Sequence, residues 1–213
     1  MGETRDYLDW HDDYERPGSH LHRRLQVVIR LIRRALHELP PGPVRVVSIC
    51  AGQGADILGA ADGNPRAHDL EGRLVELDAR NVGLARLRID ELALEDHLEV
   101  VERDAGSSDA YAGAVPADLV LACGVFGNMS DVDIERTVRF LPSLCAPGAW
   151  VLWTRHPRDP GLFERLQGWL EESGLEPIEL EVADDATFGV GANRLVVAPP
   201  PFEPGQHLFT FTR

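Results

Sequence analysis

Val46-Val47-Ser48-Ile49-Cys50-Ala51-Gly52-Gln53-Gly54-Ala55-Asp56 is the stretch that decides how this chain folds. Its first half is a short apolar run rich in β-branched residues, the pattern of a strand covered on both faces. The run breaks into Gly-x-Gly, and a short helix opens near Ala55 and closes at Gly63-Asn64-Pro65. Strand, glycine turn, helix is the unit with which an open α/β sheet presents a ligand to the carboxyl ends of its strands. Gly52 and Gly54 allow the sharp turn and the close backbone approach such a ligand needs.

The unit repeats along the chain. Strand-like runs at Arg73–Leu77, Leu98–Glu102, Asp118–Ala122, Trp150–Thr154 and Ile178–Val182 alternate with helical patterns near Asn81–Leu94, Val132–Leu144 and Gly161–Ser173. Such alternation makes a mainly parallel sheet with helices on both faces. Upstream, Ser19 is placed to cap a helix carrying Leu21, Leu25, Val28, Ile29, Ile32 and Leu36 at helical spacing, and Pro40-Pro41-Gly42-Pro43 ends it. Residues 1–43 therefore read as a lid and cap helix, and residues 44–213 as the main domain. At the far end, Arg194–Ala198 and His207–Thr212 are β-like runs with no helix between them, which predicts an antiparallel edge.

Composition narrows the ligand. The chain is 44% hydrophobic and 26% charged, with a formal net charge of −14 and arginine as its only basic residue besides histidine. A surface this acidic repels a phosphate backbone, so nucleic acid and anionic membranes are disfavoured as partners. No apolar stretch approaches the ~20 residues of a membrane span, and the first residues lack a signal-peptide core. A cytoplasmic protein is expected. Cys50, Cys123 and Cys145 form no C-x-x-C pair and read as buried apolar residues.

The dinucleotide fingerprint G-x-G-x-x-G would place its third glycine at 57, where the chain has Ile57, and no Walker-type phosphate loop occurs. Asp56, in the first helical turn, opposes a pyrophosphate and favours a ligand bearing an ammonium group. Glu76, at the end of the second strand, can accept both hydroxyl hydrogens of a ribose. Asp78 competes for this role but is placed to cap the next helix. Asp104, past the third strand, can accept the exocyclic amine of adenine, and Ala105 offers its backbone amide to the ring.

In these residues the chain resembles the class I S-adenosylmethionine-dependent methyltransferases. The family's glycine-rich loop is similar to Cys50-Ala51-Gly52-Gln53-Gly54. Its ribose acid matches Glu76 within Arg73-Leu74-Val75-Glu76-Leu77-Asp78, its adenine acid matches Asp104, and its fourth motif matches Leu121-Ala122-Cys123-Gly124-Val125-Phe126-Gly127-Asn128. The resemblance implies a Rossmann-like three-layer α/β sandwich, with a seven-stranded, mainly parallel sheet whose last strand is antiparallel. It also implies S-adenosyl-L-methionine as cofactor, held by Ala51, Gly52, Gln53, Gly54, Glu76, Leu77, Asp104, Ala105, Cys123 and Gly124. An acid that often opens the family's loop is absent here.

Methyl transfer is a direct displacement, so positioning matters more than a signature catalytic group. His156, after the fifth strand, is the candidate general base, with His11 and Tyr14 of the leader as further catalytic candidates. Trp10, Asn128 and Arg155 are candidates for substrate contact, Arg155 through a substrate carboxylate. Met129 is a further candidate for substrate contact, and Phe188 and Asn193 are candidates for another pocket wall. No metal-ligand spacing occurs, and no metal is expected. The expected reaction is methylation of a small molecule. Rival readings keep the cofactor but give methylthioadenosine by aminopropyl transfer or ring closure, or make the chain a non-catalytic subunit with the cap helix as a homodimer face.

Overall fold

Local signals place the first helix. The structure is a computed structural model and describes residues 16–212. Ser19 is extended at the entry to α1 (His20–Glu38), and its hydroxyl accepts the His22 N–H at 3.0 Å, satisfying a donor the helix leaves unpaired. Leu21, Val28, Leu31, Ile32, Ala35 and Leu36 form the buried stripe. On the outer side Arg30 reaches Glu179 and Glu181, and Arg34 reaches Glu38 and Glu179, each at 2.7 Å. These pairs are solvent-exposed and screened, so burial of the stripe holds the helix in place. Arg66 fastens its end, the guanidinium donating to the Leu36 carbonyl in the last turn and to Leu39, Pro40 and Gly42 just past it.

Seven strands follow: β1 (Val44–Ile49), β2 (Leu70–Glu76), β3 (Leu98–Glu102), β4 (Ala117–Ala122), β5 (Cys145–Arg155), β6 (Leu175–Val182) and β7 (Gly189–Leu195). They alternate with α2 (Ala55–Ala61), α3 (Ala79–Glu91), α4 (Asp131–Leu144) and α5 (Pro160–Glu172), and with 3-10 turns at Ala67–Asp69 and Ser108–Tyr111. The sheet order is β3-β2-β1-β4-β5-β7-β6. β1 to β5 run parallel, and β7 is antiparallel to both its neighbours. The chain therefore winds outward from β1 to β3 and then returns to lay β4 on the other side of β1. The carboxyl edge between β1 and β4 is thus the topological switch point, where such sheets bind ligands. Val46, Leu74, Leu119, Leu121 and Leu152 pack beneath α1, α2 and α3, while Val47, Ile49, Val75, Val120, Val151 and Trp153 pack towards α4 and α5.

The tail departs from the sequence reading. The seventh strand is Gly189–Leu195 rather than Arg194–Ala198, and His207–Thr212 is not a strand of the sheet, His207 forming only an isolated bridge to Ser107. Gly189 and Gly191 disguise the strand, yet both are needed. A Cβ at Gly191 would sit 2.3 Å from the Trp153 indole, and one at Gly189 would sit 2.7 Å from the Phe163 ring. Glycine inside a strand marks a close approach of this kind. Asn193 belongs to the core and not to a pocket wall: it accepts from Trp153 Nε1 and donates to the Leu175 carbonyl, both at 2.8 Å.

Asp78 caps α3, its carboxylate accepting the Arg80 N–H at 2.8 Å. Hydrogen bonds from Arg80 hold its pKa at about 2, against an ordinary value of 3.8. Asp78→Ala is expected to cost about 1 kcal/mol of stability. Because the folded pKa is depressed, that contribution is complete well above pH 3.8 and is lost as pH falls towards 2. Urea unfolding of both proteins checks this: the difference in midpoint should narrow from about pH 6 to about pH 3, and a constant difference would contradict it.

Candidate functional site

The glycine turn and Glu76 are built as one unit. Leaving β1, the chain turns through left-handed backbone at Cys50 (φ 52°), Gly52 (φ 56°) and Gly54 (φ 69°). The Ala51 N–H donates to the Val75 carbonyl, and the Gly54 N–H to the Ala51 carbonyl, each at 2.9 Å. Glu76 Oε2 accepts the Gly52 N–H at 2.7 Å, and Oε1 accepts the Asp78 N–H at 2.9 Å. The carboxylate is thus pinned against the turn by two charge-assisted bonds, while each oxygen keeps a further acceptor site. Of the two neighbouring acids, Glu76 faces the turn and Asp78 faces α3. Leu77 between them is 65% exposed, an apolar side chain left open at this edge. Gln53 donates to the buried Asn81 at 3.4 Å.

The third strand brings a second acid. The Arg103 N–H donates to the Glu76 carbonyl at 2.9 Å, and Asp104 accepts the Gly106 N–H at 2.8 Å. Asp104 is exposed, whereas Ala105 is buried and gives its carbonyl to the Tyr111 hydroxyl at 2.6 Å. Burial, and then the charges of Glu76 and Asp104, push the Cys50 thiol well above its ordinary value. The two acids therefore act on one point at the end of β1, and Cys50 stays protonated there.

Across the switch point, the Gly124 N–H donates to Thr154 Oγ1 at 2.7 Å, tying the ends of β4 and β5. Cys123 is half-buried, and burial followed by the charge of Asp56 raises its pKa, with Arg24 opposing. Burial also raises the Asp56 pKa against its bond from the Ile57 N–H at 2.7 Å. Asp56, Arg24 and Cys123 are thus electrostatic neighbours between α1, α2 and β4. His156 follows β5, and its Nδ1 accepts the Arg158 N–H at 3.1 Å. Burial, and then the charges of Arg158, His20 and Arg155, lower its pKa. With Nδ1 accepting, the proton of a neutral imidazole belongs on Nε2, the nitrogen then left as a donor. Arg155 donates to the Phe126 carbonyl, and the Asn128 amide donates to the Gly124 carbonyl at 3.4 Å. Met129 is in the core, and Phe188 is buried with Arg23 5.7 Å from its ring centre. Trp10, His11 and Tyr14 lie outside the described residues. Among the described residues no three His, Cys, Asp or Glu side chains gather as a metal site.

Two contributors had no sequence signal. Tyr111 closes under Ala105 from a turn, and the carbonyl of Asn128 accepts the Thr212 N–H at 2.8 Å from the end of the chain.

Solved structures share this fold. The fold is that of the class I S-adenosylmethionine-dependent methyltransferases. Magnesium protoporphyrin IX methyltransferase from Synechocystis PCC 6803, with S-adenosylmethionine bound, is 12% identical; the alignment covers 90% of this chain and 92% of that one at a TM-score of 0.67. The N-methyltransferase NodS from Bradyrhizobium japonicum, in complex with S-adenosyl-L-homocysteine, is 15% identical over 89% of this chain and 97% of that one, with a TM-score of 0.61. The [4+2]-cyclase SpnF is 17% identical over 79% and 82%, with a TM-score of 0.58. At these identities the methyltransferase likeness is one of fold. No protein-family model matches the chain, and no curated protein sequence does. Among the described residues no helix is long and apolar enough to cross a membrane.

Proposed function

We propose that the protein is an S-adenosylmethionine-dependent methyltransferase acting on a small molecule in the cytoplasm. The observation that carries the reading is the Glu76 carboxylate, bonded to the Gly52 N–H at 2.7 Å across the glycine turn, with Asp104 acting on the same strand end. The donor set fits an adenosyl amino acid. Glu76 has acceptor sites for two ribose hydroxyls, Asp104 for an exocyclic amine, and Leu77 offers apolar surface to a purine. The backbone of Ala51, Gln53 and the glycines permits close approach, and the carboxylates favour a cationic ligand. Bound there, S-adenosylmethionine supplies a methyl group on a sulfonium for direct displacement. Cys123 and Gly124 would hold the sulfonium side and Arg155, His156 and Asn128 would contact the acceptor, while Trp10, His11 and Tyr14 are assigned to the acceptor from the sequence alone. His156, expected as a general base, has its Nδ1 occupied by the Arg158 N–H, so its Nε2 serves there as a hydrogen-bond donor that orients the acceptor. The net charge of −14 supports a compact metabolite over nucleic acid.

A [4+2]-cyclase is among the similar folds, and the second outcome for this chain is a bound cofactor whose methyl is not moved. Calorimetry with S-adenosylhomocysteine is expected to give a dissociation constant in the micromolar range. Incubation with S-adenosylmethionine and a metabolite extract is expected to give S-adenosylhomocysteine by mass spectrometry. Methylthioadenosine instead would replace methyl transfer with another displacement on the sulfonium, and absence of binding would end the reading.

A further inference from the structure

The crossover from β3 to β4 contains only the 3-10 turn Ser108–Tyr111, where the crossovers after β1, β2, β4 and β5 carry helices of 7 to 14 residues. The end of the chain fills part of this face. Leu208 and Phe209 are 1% and 3% exposed and pack in the same cluster as Val47, Val75, Ala105 and Tyr111. This segment is fastened on two sides. Towards β3, the Ser108 N–H donates to the Gln206 carbonyl at 2.9 Å and the Leu208 N–H to the Gly106 carbonyl at 2.7 Å, while Asp109 accepts the Gly205 N–H at 2.8 Å. The approach is so close that a Cβ on Gly106 would lie 2.3 Å from the Phe209 carbonyl oxygen. Towards β4, the Asn128 carbonyl accepts both the N–H and the hydroxyl of Thr212, at 2.8 and 3.2 Å. Residues 209–211 therefore bridge the loop that carries Asp104 and the loop that carries Asn128. Phe209 turns inward. Phe211 leans on it with ring centres 5.3 Å apart and is 40% exposed.

We propose that this strap closes the adenine end of the cofactor site and that Phe211 is its adenine-contacting residue. The inference rests on the cofactor reading above. An amine held by Asp104 lies two residues from Gly106, where the strap crosses, so the next flat apolar surface along the strap is the half-open ring of Phe211. Covering that ring with a purine removes apolar surface from water on both partners.

The test uses full-length wild type, Phe211→Ala and Phe211→Tyr, titrated calorimetrically with S-adenosylhomocysteine and with adenosine. Aromatic–base stacking is worth roughly five- to a hundredfold in affinity by truncation. Phe211→Ala is expected to weaken both ligands about tenfold, and Phe211→Tyr to hold within about twofold of wild type. In wild type, hydrogen exchange of amides 209–212 should slow when S-adenosylhomocysteine is added; this measurement decides the matter if Phe211→Ala does not fold. Wild type that binds while Phe211→Ala binds equally well, or bound wild type with no added protection of the strap, overturns the strap proposal and leaves the cofactor reading standing. Wild type that binds neither ligand overturns the cofactor reading itself.

Discussion

Glu76→Gln is expected to fold and to lose at least ~100-fold in affinity for S-adenosylhomocysteine, since two charge-assisted bonds are at stake at about 1.5–3 kcal/mol each. In the native site Oε2 accepts from Gly52 and Oε1 from Asp78, at 2.7 and 2.9 Å. An amide has one acceptor oxygen and one NH2 group, so one of those backbone N–H groups would face another donor. The same change halves what remains for two ribose hydroxyls and removes a negative charge from the edge that would face a sulfonium. The turn itself loosens, and stability should fall by about 1–2 kcal/mol, the cost of one unsatisfied donor. Calorimetry together with urea unfolding separates the two effects. Unchanged affinity in a folded Glu76→Gln protein would remove Glu76 from the site and, with it, the observation on which the functional reading stands.

The largest stability effect is expected at Gly72. This residue pairs with Val46 in the β1–β2 register, and its φ of 155° lies in the region glycine favours. A Cβ added there would stand 1.9 Å from the Val46 carbonyl oxygen and 2.8 Å from the Val46 carbonyl carbon and nitrogen. Main chain in the middle of a sheet cannot move aside as a side chain can, so Gly72→Ala must part β1 from β2. A loss above ~4 kcal/mol is expected, out of a total of about 5–15 kcal/mol for a domain. The variant should therefore be unfolded or barely folded at 37 °C by circular dichroism. Gly83→Ala is the control: Gly83 lies in α3 with no atom within 4 Å of the new Cβ, and the change should be neutral or stabilising by up to about 1 kcal/mol. A Gly72→Ala protein that melts within a few degrees of wild type would show that the strands tolerate separation.

What could be read without coordinates was what short-range physics controls. Ser19 and Asp78 both cap helices by accepting a backbone N–H two or three residues ahead, and each is legible as a cap from its neighbours alone. The run ending at Ile49 and the glycine turn after it need only strand pattern and backbone freedom. Asp104 follows from its place at the end of an apolar run. By contrast, Arg66 ends α1 from a loop 24 to 30 residues away, a partnership no local pattern contains.

The sequence by itself determined the alternation of strand and helix, the glycine turn and the acids at the ends of β2 and β3, because periodicity, caps and turns are properties of neighbouring residues. Only the tertiary structure decided that Gly189–Leu195 is a strand, since its glycines answer to Trp153 and Phe163, which approach from other elements. It alone decided that His207–Thr212 straps two loops instead of extending the sheet, since the space those residues fill exists only where the β3–β4 crossover lacks a helix.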